Sequence, residues 1–161
     1  MRPVGGGGPV GTVHATVPAV PTVLIATDTD AVADEVDAAL GDQDTTVLRV
    51  RAGVDVPGAV AEQEPDLVVL DLQIGNMGGM AVATHLRAEI AMERLDDVAI
   101  LMLLDRTADV FLAKRSSADG WLVKPLDSFR LRRAAKALLA GGDFHEATGI
   151  ESVPPVEPAS A

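Results

Sequence analysis

Three side chains with chemical potential stand far apart in this sequence yet share one kind of position. Asp28, Asp71 and Lys124 each close a short apolar run: "TVLIAT" precedes Asp28, "LVVL" precedes Asp71 and "GWLV" precedes Lys124. Two carboxylates and an ammonium suit a hard cation together with a phosphoryl group. Magnesium takes oxygen ligands and keeps several waters, so one or two carboxylates are enough. A lysine offers a point charge to a phosphate oxygen. A carboxylate can also be a nucleophile that forms an acyl phosphate. Phosphoryl transfer asks for little beyond in-line positioning and charge neutralisation. Each residue also has a plainer reading, Asp71 as a strand-end acid and Lys124 as a surface lysine. Their coincidence, with Pro125 fixing the turn after Lys124, favours a shared site.

The elements that must position them alternate along the chain. Strands are expected at 22–27, 45–50, 66–71, 98–104 and 120–124. Amphipathic helices are expected at 31–40, 56–64, 79–91, 107–116 and 127–140. The run at 66–71 is apolar almost throughout, as in a strand covered on both faces. The run at 45–50 is more polar, as in an edge strand. Gly41 stops the first helix, Thr107 and Asp127 read as N-caps, and Gly141–Gly142 stop the last helix. Strand followed by helix five times predicts a parallel sheet with helices on both faces. Ligands meet such sheets at the carboxyl ends of the strands, near the point where the strand order reverses. Asp28, Asp71 and Lys124 then converge on one edge; the fourth strand ends in Leu104-Asp105.

Bulk properties bound the function classes. The chain has 161 residues, with 48% hydrophobic residues but only 2% aromatics, so the core must be built from Val, Leu, Ile and Ala. Cysteine is absent, which removes disulfides, thiolate nucleophiles and Cys-ligated metals and fits a cytoplasmic location. The net charge of -11 disfavours direct nucleic-acid binding. No membrane span is expected, since Val10 to Ala26 is broken by Pro18 and Pro21. Residues 1–21 read as a flexible tail, 22–142 as the globular unit and 143–161 as a disordered, mildly acidic, Pro-containing tail. Gly5 to Gly8 neither follow a strand nor open a helix, so they are no phosphate loop. A dinucleotide fingerprint, a Ser-His-Asp arrangement and a His-Glu-x-x-His helix are also missing.

The stretches "VLIATDTD", "PDLVVLDLQIGNMGGM" and "ADGWLVKPL" resemble the receiver domain of two-component response regulators, and the resemblance covers 22–142. It implies a (βα)5 doubly wound, flavodoxin-like sheet with strand order 2-1-3-4-5. Asp71 would be the phosphoacceptor and Lys124 the phosphoryl contact. Mg²⁺ would be held by Asp28, Asp71 and the backbone carbonyl of Gln73. The Lys124–Pro125 peptide would be cis. The implied donor is a histidine kinase or phosphotransfer protein, and the implied output is a protein partner. A homodimer through the face of helix 4, strand 5 and helix 5 is a further option. Such a domain signals rather than turning over a substrate, beyond self-phosphorylation from phosphodonors and slow autodephosphorylation.

The pattern is broken in places. The family pairs two acids after strand one, whereas Thr27 precedes Asp28 here, and Asp30 reads as belonging to the helix start. The switch hydroxyl at the end of strand four is replaced by Leu104. Gly75 stands where a proline is common, which predicts a looser loop. Trp121 occupies the switch-aromatic position but is also ordinary for a fifth strand. His85 reads as a solvated or packed histidine, not a phosphohistidine. The basic last helix, with Arg130, Arg132, Arg133 and Lys136, reads as a solvated face or an output surface. Three functions are therefore carried forward: a stand-alone phosphoaccepting regulator, a phosphorylation-independent interaction module, and another flavodoxin-like binder or enzyme.

Overall fold

The computed structural model describes residues 20–146. Strands β1 (Thr22–Ala26), β2 (Thr46–Val50), β3 (Leu67–Asp71), β4 (Ala99–Leu104) and β5 (Gly120–Val123) alternate with helices α1 (Asp30–Leu40), α2 (Val56–Gln63), α3 (Gly79–Ala91), α4 (Val110–Arg115) and α5 (Ser128–Leu139). A sixth strand, β6 (Phe144–His145), follows α5. The sheet order is β2-β1-β3-β4-β5-β6, and every pairing between these strands is parallel. The first five strands thus follow the expected order 2-1-3-4-5.

Burial follows position in the sheet. Every residue of β3 is buried, because β1 and β4 flank it and helices cover both faces. Strand β2 lies at the edge and stays partly exposed. Side chains alternate across the sheet as strand geometry requires. Leu24, Val68, Leu70, Ile100, Met102 and Leu104 pack with Val60 of α2, Leu86 of α3 and Ala113 of α4. Val23, Ile25, Val69, Leu101 and Leu103 pack with Val36 of α1 and Leu131 and Leu138 of α5. Full burial of one such aliphatic side chain contributes about 1.5–3 kcal/mol. The chain steps from β1 out to β2 and returns on the other side at β3. The order reverses between β1 and β3, so their carboxyl ends open a crevice there.

Three local expectations change. Residues 143–146 are not a disordered tail. The Phe144 amide donates to the Asp119 carbonyl at 3.1 Å, and β6 runs beside β5. Gly141, at φ +88, turns the chain back after α5. Gly120 has no Cβ to block the approach, since one would lie 2.6 Å from the Phe144 carbonyl oxygen. Thr107 caps no helix through its side chain. It opens a 3-10 turn, Thr107–Asp109, and buried Asp109 instead pairs with Arg106 at 2.7 Å. Asp30 begins α1 as expected, but its carboxylate receives Arg49 at 2.8 Å and Arg51 at 2.9 Å. The remaining parts of the two expected tails lie outside the described residues.

Candidate functional site

Asp71 ends β3 with its side chain 1% exposed, and three donors converge on it. The Lys124 ammonium lies 2.9 Å from Oδ1, and the Gln73 amide donates to the same oxygen at 3.1 Å. The Thr27 hydroxyl donates to Oδ2 at 2.7 Å. A buried carboxylate needs such partners, because an unpaired charge in the interior is costly. Gly79 lets the backbone turn tightly behind Asp71, since a Cβ there would lie 2.7 Å from the Asp71 carbonyl oxygen.

The ends of β1 and β5 supply two of those donors. Thr27 is fully buried, and its amide donates to the Val50 carbonyl at 3.1 Å. Arg49 grips the Thr27 carbonyl through Nε at 3.2 Å and Nη2 at 3.1 Å, which fixes the register of the Thr27 hydroxyl. Lys124 extends β5, its amide donating to the Leu104 carbonyl at 2.8 Å, and the Lys124–Pro125 peptide is cis. The ammonium also reaches Asp105 Oδ1 at 3.1 Å. Burial works against the charge on Lys124, but the hydrogen bonds and charges of Asp71 and Asp105 outweigh it. Its pKa is held above the ordinary lysine value of 10.5.

Asp28 is placed differently. It is exposed, and its Oδ2 accepts the Gly75 amide at 3.0 Å. A proline at 75 would have no N–H to offer. Nor is the loop after Asp71 loose. Gly53 donates to the Gly75 carbonyl at 2.9 Å, and Val54 to the Asn76 carbonyl at 2.8 Å. Asn76 at φ 54 and Met77 at φ 82 hold left-handed backbone there, which is unfavourable for residues with a Cβ. The replacement of proline by glycine therefore anchors an acid rather than freeing a loop.

Leu104 is completely buried among the residues facing α2, α3 and α4. Trp121 belongs to the same cluster at 2% exposure, and the His145 ring stacks on it with centroids 4.3 Å apart. His85 is exposed on α3. The basic helix α5 is only partly a solvated face. Arg130 binds Glu146, and Arg132 donates to the Ala39 carbonyl at 3.0 Å. The structure thus brings Asp71, Lys124 and the Gln73 amide together, with Asp28 one loop away. Two partners had no role in the sequence reading, the Thr27 hydroxyl and Asp105. Asp105 carried a usable signal, since it closes an apolar strand run as Asp28 and Asp71 do.

The family model for the response regulator receiver domain matches residues 23–136. The chain belongs to the response regulator receiver family. This receiver is 30% identical over 125 residues to the transcriptional regulatory protein AfsQ1 of Streptomyces coelicolor, covering 76% of this chain and 53% of that protein. It is 35% identical over 117 residues to the DNA-binding response regulator MtrA of Mycobacterium leprae, covering 66% of this chain and 49% of that protein. The chain spans about half the length of these curated relatives. Among solved structures, chemotaxis response regulator CheY4 of Vibrio cholerae superposes with TM-score 0.65 at 22% identity, covering 74% of this chain and 99% of that one. A LuxR-family two-component response regulator from an Aurantimonas species gives TM-score 0.68 at 22% identity, covering 78% and 89%. These two likenesses concern the fold. No helix among the described residues is long and apolar enough to cross a membrane.

Receiver domains generally bind Mg²⁺ at the phosphorylation site. Among the described residues of this receiver, no group of three or more His, Cys, Asp or Glu side chains forms a ready metal cluster. The residues that the resemblance assigns to that role are two carboxylates, Asp28 and Asp71, and the Gln73 carbonyl. They are hard oxygens, and each carboxylate keeps capacity beyond the hydrogen bonds described. That set fits magnesium with much of its shell left to water. Thr27 replaces the acid that would enlarge it, which predicts a weak site.

Proposed function

We propose that this receiver accepts a phosphoryl group on Asp71 from a histidine kinase or phosphotransfer protein and signals by protein–protein contact in the cytoplasm. The observation that carries this reading is the buried Asp71 carboxylate with the Lys124 ammonium 2.9 Å from it. An oxygen of Asp71 attacks phosphorus in line, the P–N bond of the donor phosphohistidine breaks, and its electron pair returns to the imidazole nitrogen. The product is an acyl phosphate on Asp71. Lys124 turns its charge from the esterified oxygen toward the phosphoryl oxygens, and the Gln73 amide orients the carboxylate. Mg²⁺ held by Asp28, Asp71 and the Gln73 carbonyl would supply further neutralisation of phosphoryl charge.

The test is intact mass spectrometry after incubation with Mg²⁺ and a small phosphodonor, or with a candidate kinase, beside Asp71→Asn. A single phosphoryl mass gain that vanishes in the variant supports the reading. No gain with any donor would overturn it.

A second reading has its own observation. Leu104 is wholly buried and offers no hydroxyl to a phosphoryl group, and Trp121 is packed under His145. Both favour a phosphorylation-independent interaction module whose surface is already set. Trp121 fluorescence in the phosphorylated protein separates the two: a change supports a switch, and no change supports the fixed module.

A further inference from the structure

Among the described residues, only a short segment covers the outer edge of β5. Strand β6 pairs with it over two residues, Phe144 opposite Gly120 and His145 opposite Trp121. Two ladder positions make a weak strand, and the turn at Gly141–Gly142 precedes it. What holds the segment is mainly its side chains. The His145 ring stacks on Trp121, with planes 6° apart. The Glu146 carboxylate accepts the Val123 amide at 2.9 Å and receives Arg130 in a two-pronged pair.

The receptor for that carboxylate is held by the fold itself. Arg130 also donates to the Val123 carbonyl and to the Pro125 carbonyl, each at 2.7 Å, so α5 and the end of β5 fix its guanidinium independently of Glu146. Gly120 opens the edge to close backbone approach. A cavity of about 290 Å³ lies beside it, lined by Lys114, Ala118, Trp121 and His145. The Trp121 indole N–H is buried with no hydrogen-bond partner among the described residues. An exposed strand edge with unpaired amides is a template for an extended chain, and side-chain pockets beside it give selectivity.

We propose that the outer edge of β5 is a docking site for an extended protein segment carrying a ring followed directly by a carboxylate, and that Phe144–Glu146 fill it in cis until a partner strand displaces them. The proposal stands apart from phosphorylation of Asp71. Its test uses the full chain carrying His145→Ala and Glu146→Gln together, beside the unaltered protein. Both are titrated with a peptide copying residues 141–148, and Trp121, the single tryptophan, is the reporter. Circular dichroism confirms that the double variant stays folded. The variant should show altered emission that the peptide returns toward the unaltered protein, with saturation. The unaltered protein should bind at least tenfold more weakly, because its own segment competes. A peptide with Gln in place of the Glu should bind the variant at least tenfold more weakly. A folded variant that does not bind the peptide at millimolar concentration overturns the proposal, as does equal binding of the Gln peptide. A concentration-dependent dimer of the unaltered protein that the peptide dissociates would assign the edge to a second copy and overturn filling in cis.

Discussion

The Thr27 hydroxyl donates to Asp71 Oδ2 at 2.7 Å, and both residues are buried. A threonine thus occupies the end of β1 beside the acid at the end of β3, and it neutralises by hydrogen bonding what a metal would neutralise by charge. A hydrogen bond to a charged group contributes about 1.5–3 kcal/mol. Thr27→Val, which keeps the shape and removes the donor, should lower unfolding free energy in urea by that amount. Thr27→Asp should place two carboxylates together. That variant should be less stable than the parent without metal and should gain more stability than the parent on adding Mg²⁺, as linkage requires. Equal gains in both proteins would argue against a metal at this end of the sheet.

Lys124 gives a pH signature. Its folded pKa lies above the ordinary 10.5, because Asp71 and Asp105 together outweigh the burial that opposes its charge. A raised pKa stabilises the fold fully below the unfolded value and loses that contribution as pH rises through the folded value. The stability gap between the parent and Lys124→Met should therefore stay level up to about pH 10 and shrink above it. At neutral pH the gap is expected at about 1.5–3 kcal/mol, toward the lower end because water reaches the ammonium. Denaturant midpoints across alkaline pH provide the measurement.

Leu104 trades a switch hydroxyl for core packing. Leu104→Thr removes buried aliphatic volume and should cost about 2–4 kcal/mol of stability. The same change places a hydroxyl at the end of β4, the strand paired with β3. On the phosphoaccepting reading, phosphodonor treatment should move Trp121 emission more in the variant than in the parent. Loss of stability without that gain would show that Leu104 serves packing alone.

The loop after Asp71 is anchored from α2's side of the site. A Cβ at Gly53 would lie 1.9 Å from the Met77 carbonyl oxygen, so the backbone must move to admit one. Gly53→Ala should cost about 1–3 kcal/mol, the usual range for overpacking. It should also loosen the Gly75 amide that holds Asp28, so Mg²⁺ should stabilise the variant less than the parent. Thermal melts with and without Mg²⁺ report both effects.

Much of this was legible in the chain itself. The apolar runs that become β1, β3, β4 and β5, the helical spacing of Val32, Val36 and Leu40, and the Asp127 cap followed from side-chain period and turn chemistry. So did the meeting of Asp71 with Lys124, because parallel strands present their carboxyl ends on one edge. Thr107 shows the limit of local signals: a good capping residue lost that role to a 3-10 turn held by the Arg106–Asp109 pair. Phe144–His145 shows another, since two residues carry no period and their strand exists only because β5 has an open edge, Gly120 permits close approach and Arg130 awaits Glu146.

By itself the sequence determined the order of elements, the two-faced core and which residues could reach the carboxyl edge of the sheet, because these depend on period and chain direction. The tertiary structure alone decided what those residues do to one another: that Thr27 donates to Asp71, that Asp105 shares Lys124, that Gly75 holds Asp28 and that the C-terminal segment covers β5. Those contacts join residues distant in the chain, and hydrogen-bond partners at such range are set by strand register and backbone approach, which no local pattern encodes.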